Sequence, residues 1–156
     1  MKKISMKHAL SLTLLSVAAL GTSLPAQAQF QKPEDAIKYR KAAFTLIGAH
    51  FSRMGAMVQG RAPFDAAAAA SNAEIVANLS RLPFHGFVEG TASKDKGGAK
   101  AEIWSERAKF DEAAKKMQDE VAKLAAAKPA TVEQLKASFG PAASTCKSCH
   151  DNFRNE

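Results

Sequence analysis

Thr131-Val-Glu-Gln-Leu-Lys-Ala-Ser-Phe-Gly-Pro-Ala-Ala-Ser-Thr-Cys-Lys-Ser-Cys-His-Asp-Asn-Phe153 decides the architecture of this chain. Val132, Leu135, Phe139, Ala142, Cys146, Cys149 and Phe153 recur at alternating intervals of three and four, which places them on one face of an α-helix that packs into a bundle. Thr131 to Gln134 offers a capping box at its start. Pro141, inside the pattern, predicts a kink or local break near Phe139. Both cysteines fall on the apolar face, so whatever they hold is directed into the interior.

Three more seams of the same kind precede it. The first helix opens at Pro33, with Glu34 and Asp35 in the first turn, where acidic side chains favour a helix N-terminus. Its seam is Ile37, Arg40, Phe44, Ile47, Phe51, Met54 and Val58, and Gly60 ends it. The second runs from Asp65 to Arg81 with Ala68, Ser71, Ile75, Leu79 and Leu82 as its seam. Its alanine run, Ala66 to Ala70, favours helix and lets a neighbour approach closely. Pro83 to Lys100 holds Gly86, Gly90, Gly97 and Gly98 and reads as loop. The third helix is expected from Ala101 to Ala127, with Ile103, Arg107, Phe110, Ala114, Met117, Val121 and Leu124 as its seam. The fold class is therefore all-α, an up-down-up-down antiparallel four-helix bundle.

Cys146-Lys-Ser-Cys149-His150 is the attachment motif of a c-type haem: each thiol adds to one porphyrin vinyl group, and the adjacent histidine becomes the axial ligand of the iron. The chain has no other cysteine. A thioredoxin-like dithiol wants the motif at a helix N-terminus in a βαβ setting, and here it lies near the end of a helix. Structural zinc needs four ligands, and the motif supplies three. A disulfide across three residues of a helix has poor geometry.

The N-terminal stretch reads as an export signal. Lys2, Lys3 and Lys7 form a basic region, Ala9 to Leu20 a short apolar core, and Pro25-Ala-Gln-Ala28 a small-residue cleavage site. Residues 1–28 are expected to be removed, leaving a domain of residues 29–156 in the periplasm with no membrane span. The formal charge is +7, and loss of the three lysines leaves +4 (7 − 3). The remaining basic residues alternate with Glu and Asp along the helices, a pattern that does not suggest nucleic acid. A mildly positive field steers anionic partners or simply keeps the protein in solution.

Chain direction places the cofactor. In an antiparallel bundle the end of the fourth helix lies beside the start of the first, the end of the second and the start of the third. The expected lining is Ile37, Arg40, Phe44, Ile47, Leu79, Leu82, Ile103, Trp104 and Arg107, with Phe84 and Phe87 from the loop. Arg40, the one charge on the first seam, either pairs with a haem propionate or extends its guanidinium to solvent. Lys41 either shares that role or is solvated. Phe44 faces the iron opposite His150 and cannot ligate it. Met54 lies ten residues beyond Phe44, about 15 Å along the helix. His85 is the one candidate second ligand at this end. Arg154, four residues after His150, either sits near the imidazole or interacts with the helix dipole at the surface.

The chain resembles the cytochrome c′ family of class II c-type cytochromes. The resemblance rests on Gln-Phe-Gln-Lys-Pro-Glu-Asp-Ala-Ile-Lys-Tyr-Arg40, on Ala49-His-Phe-x-Arg-Met54, on Ala101-Glu-Ile-Trp104 and on Cys146-Lys-Ser-Cys-His-Asp-Asn-Phe-Arg154, and it spans nearly all of residues 29–156. It implies one covalently bound, five-coordinate, high-spin haem c, homodimers through the first two helices, and binding of nitric oxide and carbon monoxide. It also implies roles for Cys146 and Cys149 in attachment, His150 as axial ligand, Arg40 at a propionate, Phe44 on the distal face and Arg154 on the proximal side. Many members have leucine at the distal position, so Phe44 is a departure. Low-spin relatives carry a methionine in the distal region of the first helix, and this chain has none there.

Two functions follow as expectations: gas binding, and electron transfer with an unidentified redox partner docked at Lys94, Lys96 and Lys100. A low-spin, six-coordinate electron carrier with no gas-binding role is the alternative. No acid–base pair or nucleophile accompanies the motif, so no catalytic residue and no enzyme is expected.

Overall fold

A computed structural model describes residues 30–156. The expected export signal, residues 1–28, lies outside the described residues. Five α-helices follow in order: α1 Pro33–Val58, α2 Ala66–Leu79, α3 Glu102–Ser105, α4 Arg107–Ala127 and α5 Val132–Phe153, with a 3₁₀ turn, Leu82–Gly86, after α2. The four long helices close a ring in which α1 packs on α2, α2 on α4, α4 on α5 and α5 on α1. Consecutive long helices are thus neighbours, as an up-down-up-down bundle requires. None of the described helices is long and apolar enough to cross a membrane.

Local chemistry accounts for the helix ends. Pro33 sits at the start of α1 with Glu34 and Asp35 in its first turn. Asp65 caps α2 by accepting from the Ala68 N–H at 2.9 Å. Thr131 Oγ1 accepts from the Gln134 N–H at 3.2 Å, while Gln134 Oε1 reaches past the cap to the Ala130 N–H at 2.8 Å. The expected capping box thus closes one residue early. Thr131→Ala is expected to destabilise the protein by about 1 kcal/mol, read from its urea midpoint.

Four features depart from the sequence reading. The third helix is interrupted at Glu106, whose φ of −117° and ψ of 41° separate α3 from α4. The loop after Pro83 contains the 3₁₀ turn, started by that proline. α5 continues through Pro141 without a local break, the ring lying on the exposed side of the helix. Lastly, α2 is rotated: Ala69, Asn72, Ala73 and Val76 are buried, whereas Ser71 is exposed and Leu82 is 37 % exposed. Asn72 tolerates burial because His50 Nδ1 of α1 lies 2.8 Å from its Oδ1 and its amide donates to the Ala68 carbonyl.

Two apolar clusters result. The main one fills the ring with Ile47, Met54, Met57, Ala69, Ala73, Val76, Met117, Val121, Leu124, Leu135 and Ala142. The second closes one end with Ala99, Ile103, Phe110 and Phe153. Phe84 packs against both.

Candidate haem site

Cys146 and Cys149 occupy the last turns of α5, half-buried and in no disulfide. Cys146 packs against the main cluster, Cys149 against the second. The pair therefore straddles the junction of the two cores. Burial pushes the Cys146 thiol up. Burial, then the neighbouring Cys146, pushes Cys149 to about 11. Such thiols are poor thiolate nucleophiles, the opposite of a reactive dithiol at a helix N-terminus. Among the described residues, no three His, Cys, Asp or Glu side chains gather into a metal cage.

His150 is half-buried on the following residue. Burial, then the positive charge of Arg154, lowers its pKa, with Asp151 and Glu156 opposing. The ring is kept neutral, the form that ligates a metal. Opposite it stands Phe44, with ring centroids 6.5 Å apart and planes at 76°. Phe84 and Phe87 flank Phe44 edge-on, at 6.2 and 6.3 Å. The His150–Phe44 separation and angle are those of an edge-to-face ring pair.

Arg40 is 4 % exposed, and its partners are protein groups. Nη1 donates to the Gly86 carbonyl at 3.0 Å and to Thr91 Oγ1 at 2.6 Å, while Nη2 donates to the Thr91 carbonyl at 2.6 Å. Its guanidinium carbon lies 4.7 Å from the centre of the Phe87 ring, a cation–π contact. Arg40 thus fastens the 86–91 segment to α1. The approach is tight: a Cβ on Gly86 would lie 2.6 Å from the Ala36 carbonyl oxygen and 2.9 Å from Arg40 Cβ. A guanidinium carries five N–H donors. These bonds use three of them, which leaves Nε–H and one on Nη2 for a carboxylate.

Other expected residues are placed differently. Lys41 is exposed and lines a shallow groove with Glu34, Ile37, Lys38, Ala42 and Thr45, away from Arg40's partners; one residue along a helix turns the side chain by about 100°. Arg107 is exposed and paired with Asp111 at 2.8 Å, so it does not line the site. His85 is exposed on the 3₁₀ turn. Arg154 lies one residue beyond α5 in extended conformation, bridged to Ala99. Lys100 N–H donates to the Phe153 carbonyl at 3.0 Å, and Asn155 N–H to Gly98 at 2.9 Å. This strap walls the His150 side with the 97–100 segment.

Thr91 and Gly86, which hold Arg40, were not among the sequence candidates, and no motif marks them. Trp104 was expected in the lining, and its indole Nε1 is buried without a hydrogen-bond partner among the described residues. An unpaired buried donor costs about 1–3 kcal/mol. Two attachment thiols, a neutral imidazole, a spare guanidinium edge and an orphaned donor together suit a flat, carboxylate-bearing macrocycle.

Comparison with known proteins agrees. The family profile described as Cytochrome C' matches residues 35–154. A cytochrome c' of Rubrivivax gelatinosus is 49 % identical over 129 residues, covering 82 % of this chain and all of that protein. Another, from Alcaligenes xylosoxydans xylosoxydans, is 45 % identical over 129 residues, covering 82 % of this chain and 99 % of its own. The crystal structure of the Rubrivivax gelatinosus cytochrome c' superposes with a TM-score of 0.75 at 48 % identity, over 81 % of this chain and 100 % of that one. A nitric oxide complex of a leucine-to-alanine mutant of the Alcaligenes xylosoxidans protein gives a TM-score of 0.74 at 44 % identity, over 82 % of this chain and 99 % of that one. By fold, motif and these matches the chain belongs to the cytochrome c′ family, and its cofactor is covalently attached haem c with its iron.

Proposed function

We propose that this chain is an exported periplasmic haem protein that binds diatomic gases, nitric oxide and carbon monoxide, and does not turn over a substrate. The surroundings of Phe44 carry this reading. Its aromatic neighbours, Phe84 and Phe87, present only carbon, so water entering there gains no hydrogen bond. The haem iron supplies a coordination position for a small ligand, and distal polarity and access govern its use. Cys146 and Cys149 hold the porphyrin as thioethers, and His150 ligates the iron through its neutral ring. Arg40 offers its two spare donors to a propionate. Arg154 limits solvent on the His150 side, while Lys41 remains solvated.

Optical spectra of the reduced protein with and without carbon monoxide test this. A high-spin spectrum that shifts on gas addition is expected. Sharp, split low-spin bands unchanged by gas would sink the five-coordinate reading and favour a second ligand such as His85. Phe44→Ala is expected to raise the carbon monoxide association rate about tenfold or more, equivalent to about 1.4 kcal/mol of barrier, by flash photolysis. An unchanged rate would mean that Phe44 does not guard the iron.

Electron transfer is a second capacity of the same iron. Exposed Lys94 and Lys96 suit an acidic redox partner, whereas Lys100 is engaged with the Asp151 carbonyl at 3.0 Å. A homodimer through α1 and α2 belongs to the proposal too. Leu46, 52 % exposed on α1, and half-buried Ile37 and Ile75 supply apolar surface on these two helices.

A further inference from the structure

Trp104 is the single tryptophan of the chain, and its buried indole N–H lacks an acceptor among the described residues. Buried donors in native proteins are nearly always paired. The ring packs on the second cluster together with Phe84, Phe87 and Cys149. It therefore lies at the end of the bundle that also holds the two phenylalanines flanking Phe44. Phe87 links this cluster to Arg40, whose guanidinium carbon lies 4.7 Å from the Phe87 ring centre. An indole N–H only donates, so its partner must be an acceptor. In a bound haem c the pyrrole nitrogens are taken by iron and the thioether sulfurs accept weakly. The propionate carboxylates are the strong acceptors.

We propose that Trp104 is a second anchor for the haem, its Nε1–H donating to a propionate carboxylate alongside Arg40. The assignment rests on the haem reading of the site and extends it to a residue of α3. An arginine anchor adds charge as well as hydrogen bonds. A tryptophan anchor adds direction without charge, and so fixes the tilt of the macrocycle between His150 and Phe44. It also gives α3 a role: the turn that carries Trp104 is set apart from α4 by the break at Glu106.

The test compares haem-loaded wild type with Trp104→Phe. Intact mass and visible absorption come first; a chain with no attached haem would defeat the site reading itself. In the loaded wild type, ultraviolet resonance Raman of the sole indole is expected to report a hydrogen-bonded N–H. Visible resonance Raman is expected to show a shift of the propionate bending band in Trp104→Phe. A free indole in wild type, or a propionate band unmoved by the substitution, overturns the proposal while the haem remains in place. Should Trp104→Phe fail to fold, incorporating the benzothiophene analogue of tryptophan at this one position keeps the ring shape and removes the N–H. The same shift is then expected, and its absence overturns the proposal.

Discussion

Cys146→Ser/Cys149→Ser, made together, is expected to yield a chain with the mass of the bare polypeptide and a bundle that no longer unfolds cooperatively. The mass follows from the chemistry, because no other thiol is present to form a thioether. The loss of cooperativity follows from the packing. Cys146 lies against the main core and Cys149 against the end cluster, so the group they carry joins the two. Truncating one large buried aromatic side chain costs about 3–5 kcal/mol. A porphyrin exceeds any side chain, so its loss approaches the whole margin of about 5–15 kcal/mol that holds a domain folded. Each single serine variant retains one possible thioether and is expected to fall between. Intact mass spectrometry and thermal circular dichroism read both effects. A cooperative transition at the wild-type temperature in the double variant would show that the bundle closes without its cofactor.

Arg40→Met is expected to lower stability by about 3–5 kcal/mol, because two buried carbonyls lose their donors at about 1–3 kcal/mol each. At this chain length that corresponds to a fall in Tm of about 10–20 °C. Methionine keeps much of the volume but leaves the Gly86 and Thr91 carbonyls without the donors they now have at 3.0 and 2.6 Å. Thr91 is fully buried, so water cannot replace them without opening the loop. Lysine is not expected to rescue the variant, since a single ammonium cannot serve acceptors arranged for a planar fork. The segment released carries Phe87, which flanks Phe44, so faster gas association should accompany the lost stability. Guanidinium unfolding and flash photolysis check the two together. Stability within about 1 kcal/mol of wild type would mean that the loop is held by its other contacts.

The elements readable from the sequence are those whose cues are local. The seam of α5 has the right phase because large or thiol side chains mark almost every turn, and Leu135, Ala142 and Phe153 are buried as expected. α1 begins where proline and two acids say it should. α2 was misread because alanines on all sides give the helix little polarity to orient it; its burial is settled by the contact of Asn72 with His50, 22 residues earlier. The break at Glu106 has no glycine or proline to announce it. The same division holds at the site. The attachment motif is contiguous and legible, whereas the protein partners of Arg40 are not. Gly86 and Thr91 lie 46 and 51 residues away in sequence, beyond any local pattern. Lys41 lies exposed beside buried Arg40, since adjacent residues on a helix face different ways.

The order of elements along the chain has a bearing on biogenesis. The thiols sit in α5, behind every other helix that walls the site. A ribosome therefore finishes three of the four long helices before any attachment point exists. Premature closure of α1, α2 and α4 would shut the porphyrin out, so maturation is a race between collapse and ligation. Variants that speed closure of those three helices should paradoxically lower the yield of mature protein.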